Sequence, residues 1–315
     1  MQKIAFVFPG QGSQVVGMGK DLYEAFPVAR RVFEEADAAL GFSITELCFQ
    51  GPEEELRKTY NTQPAILTVS MACYAVLREK GIVPQIVAGH SLGEYSALVA
   101  AGVLEFADAV RLVRKRGQFM QEAVPLGQGS MAAILGMDRD KIVSICQQIE
   151  AEGHGVVQAV NFNCPGQVVI AGEKAAVEKA AENLKAAGAK RAVMLPVSAP
   201  FHSSLMQPAA ERLSTELDAI TVSDAEIPVI ANIHGKIVEK GAEIKASLVK
   251  QADSPVLWED CVAGMTSFGA NLFIEVGPGK VLSGFTKKID KEVENLNVED
   301  LASLEKTLDY FKEVR

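Results

Sequence analysis

The chain has 315 residues, 48% of them hydrophobic and 23% charged, a usage that supplies a sizeable core and excludes disorder as the main state. Its 31 Lys+Arg against 40 Asp+Glu give a net charge of −9, and long-range repulsion argues against general binding to nucleic acid or anionic lipid. The length allows one large domain or two smaller ones. Residues 3–8 form an apolar run cut off by Pro9-Gly10, which predicts a buried strand. Residues 21–40 carry apolar positions at helical spacing and stop before Gly41. Residues 63–80 predict a deeply buried helix, with Thr62 as cap, Pro64 in the first turn and Gly81 at the end. A short apolar strand at 86–89 leads into an Ala/Leu-rich helix at 91–101, and a further helix spans 105–122. This alternation of strand and helix predicts an α/β domain with a parallel sheet covered on both faces.

The pattern changes after the break at 125–129. Strands are expected at 130–136, 156–162, 167–172 and 191–197, and helices at 138–151 and 173–187. Asp138 opens the first of these helices, and Asn163-Cys-Pro-Gly166 is a turn sequence. The order β-α-β-β-α-β is that of a ferredoxin-like unit. Residues 127–198 are therefore expected as a small subdomain inserted into a larger one made of 1–126 and 199–315. The larger unit resumes with strands at 227–232 and 271–276, then Gly277-Pro-Gly279 and another helix. The last ~25 residues are charged and expected at the periphery.

Five cysteines at 48, 73, 146, 164 and 261 include no C-x-x-C pair. Their odd number argues for a reducing compartment and against a disulfide framework or zinc knuckle. Cys73 and Cys164 are expected as buried apolar residues rather than nucleophiles. The chain starts with one Lys and an apolar run too short for a signal peptide, and no stretch reaches the ~18 apolar residues of a membrane span. A soluble, cytoplasmic protein with no metal and no membrane or nucleic-acid partner is expected.

The strongest local signal for chemistry is Gly89-His90-Ser91-Leu92-Gly93. It has the G-x-S-x-G form of a nucleophile elbow, and it lies between a predicted strand and a predicted helix, as that elbow requires. The helix start would aim backbone N–H groups and a positive dipole at the reacting oxygen. An activated serine needs a base, and there are four histidines, at 90, 154, 202 and 234. His202 is favoured, because it follows a strand where the chain returns to the larger domain, and strand-end loops of α/β sheets bind ligands. His154 and His234 stand as alternatives in polar turns. No third member is evident, which leaves a backbone carbonyl or an amide side chain to orient the imidazole. The loop Gly10-Gln-Gly-Ser-Gln14 fits neither a Walker A nor a Rossmann pattern. It is instead suited to lend a backbone N–H to an oxyanion hole, formed by Gln11 and Leu92.

Taken in order, FVFPGQGSQVVGMG, TQPA, GHSLGE, RGQFMQEAV, NFNCPGQVVIAG, APFH and EVGPGKVL resemble the malonyl-CoA:acyl carrier protein transacylase family, from residue 6 to about 282. The resemblance implies a hydrolase-like α/β domain with an inserted ferredoxin-like subdomain. It also implies malonyl transfer from malonyl-CoA to the phosphopantetheine thiol of an acyl carrier protein, supplying fatty acid synthesis. It makes Ser91 the nucleophile and His202 the base, with Gln11 and Leu92 as oxyanion donors. Arg116 would bind the malonyl carboxylate, and Gln251 would orient His202 through its carbonyl. Asn161 and Asn163 would lie near the substrate. Ala199-Pro-Phe-His202 keeps the Phe that in relatives favours malonyl over methylmalonyl. No cofactor is implied; the carrier is a separate protein, and a monomer is expected. An acidic carrier meeting a chain of net charge −9 needs a local basic patch, for which Lys287 and Lys288, or Arg111, Arg114 and Lys115, are candidates. The alternatives are an acyltransferase of polyketide or polyunsaturated fatty acid assembly, or a serine thioesterase or esterase.

Overall fold

The computed structural model describes residues 2–197 and 199–313. The expected inner boundary at 198 and the last two residues lie outside them. Among the described residues ten strands run in chain order: β1 Ile4–Phe8, β2 Ile86–Gly89, β3 Gly129–Leu135, β4 Val157–Cys164, β5 Gln167–Glu173, β6 Arg191–Met194, β7 Val229–Ile230, β8 Ile237–Val238, β9 Leu272–Val276 and β10 Glu294–Val298. They form two sheets, ordered β10-β9-β1-β2-β7-β8 and β4-β5-β3-β6.

The larger sheet is parallel apart from β8, which pairs antiparallel with β7. β1 lies inside it, and its apolar run is what a strand covered on both faces requires. Phe6 and Phe8 face the cluster built on the helix Thr59–Glu79, where both meet Tyr74 edge-on. Ala5 and Val7 face the opposite cluster around Trp258. The loops that follow β1, β2 and β7 leave from the same end of the sheet, because the three strands are parallel. That end is where open α/β sheets bind ligands.

All neighbours in the smaller sheet are antiparallel, and its order is the one a βαββαβ unit produces. The helices Arg139–Ala151 and Lys174–Ala186 cover one face through Ile142, Ile149, Val177 and Leu184. Asp138 caps the first as expected, accepting from the N–H groups of Asp140 and Lys141. The other face presents Met131, Val160, Val169 and Ala171 toward Phe201.

Several elements differ from the sequence pattern for identifiable reasons. The expected helix 21–40 is two, Lys20–Ala25 and Pro27–Leu40. Pro27 disfavours helical backbone in the residue before it, and Phe26 is extended at φ −124°, ψ 117°. The helix expected from 63 starts at Thr59, so Pro64 sits inside it and Thr62 donates its hydroxyl to the Leu56 carbonyl instead of capping. Strand 191–197 stops at Met194. Strand 227–232 shrinks to two residues. The C-terminal segment is more than peripheral charge, since β10 pairs in parallel with β9 along Glu294–Val298 and the helix Leu301–Glu313 follows.

Candidate active site

Ser91 occupies the turn between β2 and the helix Leu92–Ala100, with φ 52° and ψ −105°. A non-glycine residue at positive φ is strained, typically by about 1–3 kcal/mol, and the turn allows it only because its flanks are bare. A Cβ on Gly89 would come within 1.9 Å of the Gly93 carbonyl, and one on Gly93 within 2.0 Å of the Phe8 oxygen. Three hydrogen bonds hold the strained turn. The Ser91 N–H donates to Asn232 Oδ1 at 2.8 Å, Asn232 Nδ2 donates to the Gly89 carbonyl at 2.8 Å, and Gln251 Nε2 donates to the Ser91 carbonyl at 3.0 Å.

Ser91 Oγ and His202 Nε2 are 2.7 Å apart. His202 Nδ1 lies 2.9 Å from the backbone carbonyl of Gln251. A carbonyl only accepts, so Nδ1 carries the proton and Nε2 presents a lone pair to the serine hydroxyl. The orienting group left open by the sequence is thus a backbone carbonyl, supplied by the helix Gly241–Ala252. Burial, reinforced by the Arg116 charge and opposed by the Gln251 carbonyl, pushes His202 down to about 3. The ring is therefore neutral at physiological pH. The other histidines bond elsewhere: His90 Nε2 to Asn163 Oδ1 at 2.8 Å, His154 beside Glu152, and His234 Nδ1 accepting the Lys236 N–H.

Arg116, on the helix Phe106–Glu122, is 2% exposed. Its Nη1 donates to Gln63 Oε1 at 2.7 Å, and its Nη2 reaches Gln251 Oε1 at 3.0 Å and Ser91 Oγ at 3.1 Å. The guanidinium also lies 5.2 Å from the Tyr95 ring centre. Among the described residues no carboxylate forms an ion pair with it. Its contacts are neutral acceptors, which leave the buried charge without a contacting anion. Glu94 acts on it from farther off. This carboxylate is 1% exposed; burial raises it to about 7 against the pull of Gln251, Asn232 and Arg116.

These groups border a cleft of about 120 Å³, well below the roughly 300–1,000 Å³ of drug-sized pockets and suited to a short acyl unit. Gln11, Ser91, Leu92, Arg116, Asn161 and His202 all line it. The open face of the small sheet contributes Met131 and Asn161, and Leu195 and Val197 follow β6. Asn161 Oδ1 is buried without a hydrogen-bond partner. Asn163 is not on the cleft wall, and its side chain is taken by His90. The Gln11 side chain accepts the Thr59 hydroxyl, and Gln11 and Leu92 both line the cleft.

Gln63, Glu94 and Asn232 were not singled out from the sequence. Glu94 carries the one visible signal, a carboxylate within the apolar helix LGEYSALVA. All five cysteines are buried, and burial raises each thiol above its usual range. Among the described residues, no group of three His, Cys, Asp or Glu could hold a metal ion, and no helix is long and apolar enough to cross a membrane.

The acyl transferase domain family model matches residues 5–313. The malonyl CoA-acyl carrier protein transacylase of Bacillus subtilis is 52% identical over 313 residues, covering 99% of this chain and 98% of that one. The crystal structure of the enzyme of that name from Clostridium perfringens superposes with a TM-score of 0.96 at 47% identity, covering 99% and 98%. A malonyl-transacylase solved in complex with a type II PKS acyl-carrier protein superposes at 0.95 with 49% identity, covering 98% of this chain and all of that one. The chain therefore belongs to the acyl transferase family, among the malonyl CoA-acyl carrier protein transacylases.

Proposed function

We propose that the chain moves a malonyl group from malonyl-CoA to the phosphopantetheine thiol of an acyl carrier protein through a malonyl ester on Ser91. The observation that carries this reading is Arg116, a buried guanidinium with no contacting carboxylate, 3.1 Å from Ser91 Oγ. Burying a charge without an anion is costly, and a substrate carboxylate would supply that anion through two parallel N–H bonds.

Ser91 Oγ attacks the thioester carbonyl as its proton passes to His202 Nε2. The Gln251 carbonyl favours the imidazolium that forms. The oxyanion meets the N–H groups of Gln11 and Leu92, each worth about 3–4 kcal/mol in the transition state. His202 returns the proton to the departing CoA sulfur, leaving malonyl-Ser91. The carrier's thiol then gives its proton to His202 and attacks the ester, and collapse of the second tetrahedral intermediate expels Ser91 Oγ, which takes that proton back from His202 Nε2. The cleft needs no cofactor for these steps. Asn161, with its unpartnered oxygen on the cleft wall, is a substrate-binding group, whereas Asn163 acts through His90. We read residues 127–198 as an insert that roofs the cleft; its separate apolar core supports this. A cytoplasmic enzyme fits the chain's unpaired cysteines, and a malonyl-carrier product suits service to fatty acid synthesis.

Transfer is tested by supplying malonyl-CoA with holo carrier. The expected product is malonyl-carrier, with little free malonate. Malonate released at the same rate with or without the carrier would make the protein a thioesterase.

The pH dependence follows from His202. Only the neutral ring accepts a proton, and its value of about 3 places the acid limb far below the ordinary 6.5. Malonyl-enzyme formation is expected to stay level as pH falls through 6.5. Because Glu94 titrates near 7, the profile is also measured in Glu94→Gln. A fall centred near 6.5 in both proteins would contradict the assignment.

Carrier docking is expected on the helix Val281–Ile289. Lys287 and Lys288 are exposed there, and Val281 and Phe285 border a second cleft that reaches Gln11 and His90. Arg111, Arg114 and Lys115 are engaged by Asp108, Asn61 and Glu216. Charge reversal at Lys287 and Lys288 should raise the carrier KM several-fold and flatten its salt dependence while leaving the malonyl-CoA KM unchanged. An unchanged carrier KM would remove this surface.

A further inference from the structure

We infer that Glu94 is a positioning residue for malonyl recognition, fixing the Gln251 amide so that its oxygen holds the Arg116 guanidinium in register with the substrate carboxylate. The inference rests on the reading of Arg116 as the carboxylate-binding group. Glu94 lies one helical turn beyond Ser91 and points into the core. One of its oxygens, Oε2, accepts both the Asn232 N–H at 3.0 Å and Gln251 Nε2 at 2.8 Å. An amide side chain has two faces of opposite character, one donating and one accepting. On Gln251 the donating end meets Glu94 Oε2, the Ser91 carbonyl at 3.0 Å and Asn232 Oδ1 at 3.3 Å. The accepting end meets Arg116 Nη2 at 3.0 Å. Turning the amide over would set its NH₂ against the guanidinium, donor against donor.

The carboxylate and the guanidinium thus hold opposite ends of one amide without touching each other. Glu94 Oε2 supplies the acceptor, and its bond is the stronger while the carboxyl is ionised. The same oxygen anchors the backbone of Asn232, whose side chain takes the Ser91 N–H. His202 is oriented by the Gln251 backbone carbonyl, which does not depend on how the side-chain amide is turned. Loss of Glu94 should therefore act on malonyl recognition more than on the serine–histidine pair.

The test compares kcat/KM for malonyl-CoA and acetyl-CoA in wild type, Glu94→Ala, Glu94→Gln, Gln251→Met, the double variant Glu94→Ala/Gln251→Met, and Arg116→Ala. Glu94→Ala is expected to lower the malonyl-to-acetyl ratio by about tenfold, the scale of one buried hydrogen bond. Glu94→Gln should restore the ratio to within about threefold of wild type, because a single amide oxygen can replace the doubly accepting Oε2. Gln251→Met keeps the backbone carbonyl and should lower the ratio alone; adding Glu94→Ala should lower it no further, since the two act in series. An equal loss on both substrates would make Glu94 merely structural and overturn the inference, as would additive losses in the double variant. If Glu94→Ala does not fold, a wild-type ratio in Gln251→Met, or a ratio lost in soluble Glu94→Gln, overturns it. A wild-type ratio in Arg116→Ala would instead defeat the reading of Arg116 on which the inference stands.

Discussion

Ser91→Ala is expected to lower malonyl transfer by about 10⁴- to 10⁶-fold, the range seen when a serine nucleophile is removed from a preorganised site. The size follows from the lack of a substitute. Ser91 Oγ is the hydroxyl bonded to His202 Nε2. The cysteine thiols are buried and raised, so they furnish neither access nor thiolate. His202→Ala should cost about as much, and the double variant little more, because nucleophile and base act as one unit. The fold should survive, since the Asn232 and Gln251 bonds that hold the elbow use the Ser91 backbone. Rates and thermal melting are measured together. Retention of more than about a tenth of the activity by folded Ser91→Ala would place the nucleophile elsewhere.

Arg116→Ala carries the second large effect, and this one is selective. Malonyl differs from acetyl by a carboxylate, which loses water on entering the cleft and needs a partner there. Removing one side of a buried charge pair costs about 2–5 kcal/mol, or roughly 30- to several-thousand-fold. We expect at least about a tenfold loss of kcat/KM for malonyl-CoA, because the Gln63 and Gln251 oxygens that face the guanidinium accept rather than donate and cannot replace it. Acetyl transfer should stay level or rise, since acetyl leaves the guanidinium desolvated and unmatched. Arg116→Lys should fall between the two, keeping the charge but losing the planar fork. An equal drop for both substrates would mean that Arg116 serves to hold Gln63 and Gln251 rather than to read the acyl group.

Much of the architecture was legible in the sequence. β1, β2 and β9 read correctly because strands covered on both faces are continuous apolar runs, and the small sheet because its turns and helix stops are local signals. The elbow was legible for the same reason: glycines at 89 and 93 answer a steric demand within five residues. What escaped was long-range. β7 has two residues, too short to carry a period, and its importance lies in delivering Asn232 to the elbow. Glu94 and Asn232 meet Gln251, which was expected only through the family resemblance, across up to 157 positions and only after the sheet is assembled. His202 could be picked out by its place after a strand, but not its ionisation. An ordinary histidine titrates near 6.5; the descent to about 3 comes from burial and from Arg116 on another helix. The partner of Nδ1 was not legible in the residue pattern itself, because a backbone carbonyl leaves no mark on residue identity; the Gln251 carbonyl was expected only through the family resemblance.

The reaction turns on a covalent malonyl ester on Ser91 that a thiol resolves. Intact mass spectrometry of the protein, quenched soon after mixing with malonyl-CoA alone, tests it most directly. The predicted result is one added malonyl group, located on the peptide containing Ser91, stable in buffer and discharged on adding holo carrier or a pantetheine thiol. An unmodified protein that still moves malonyl between CoA and carrier, or an adduct on another residue, would contradict the account.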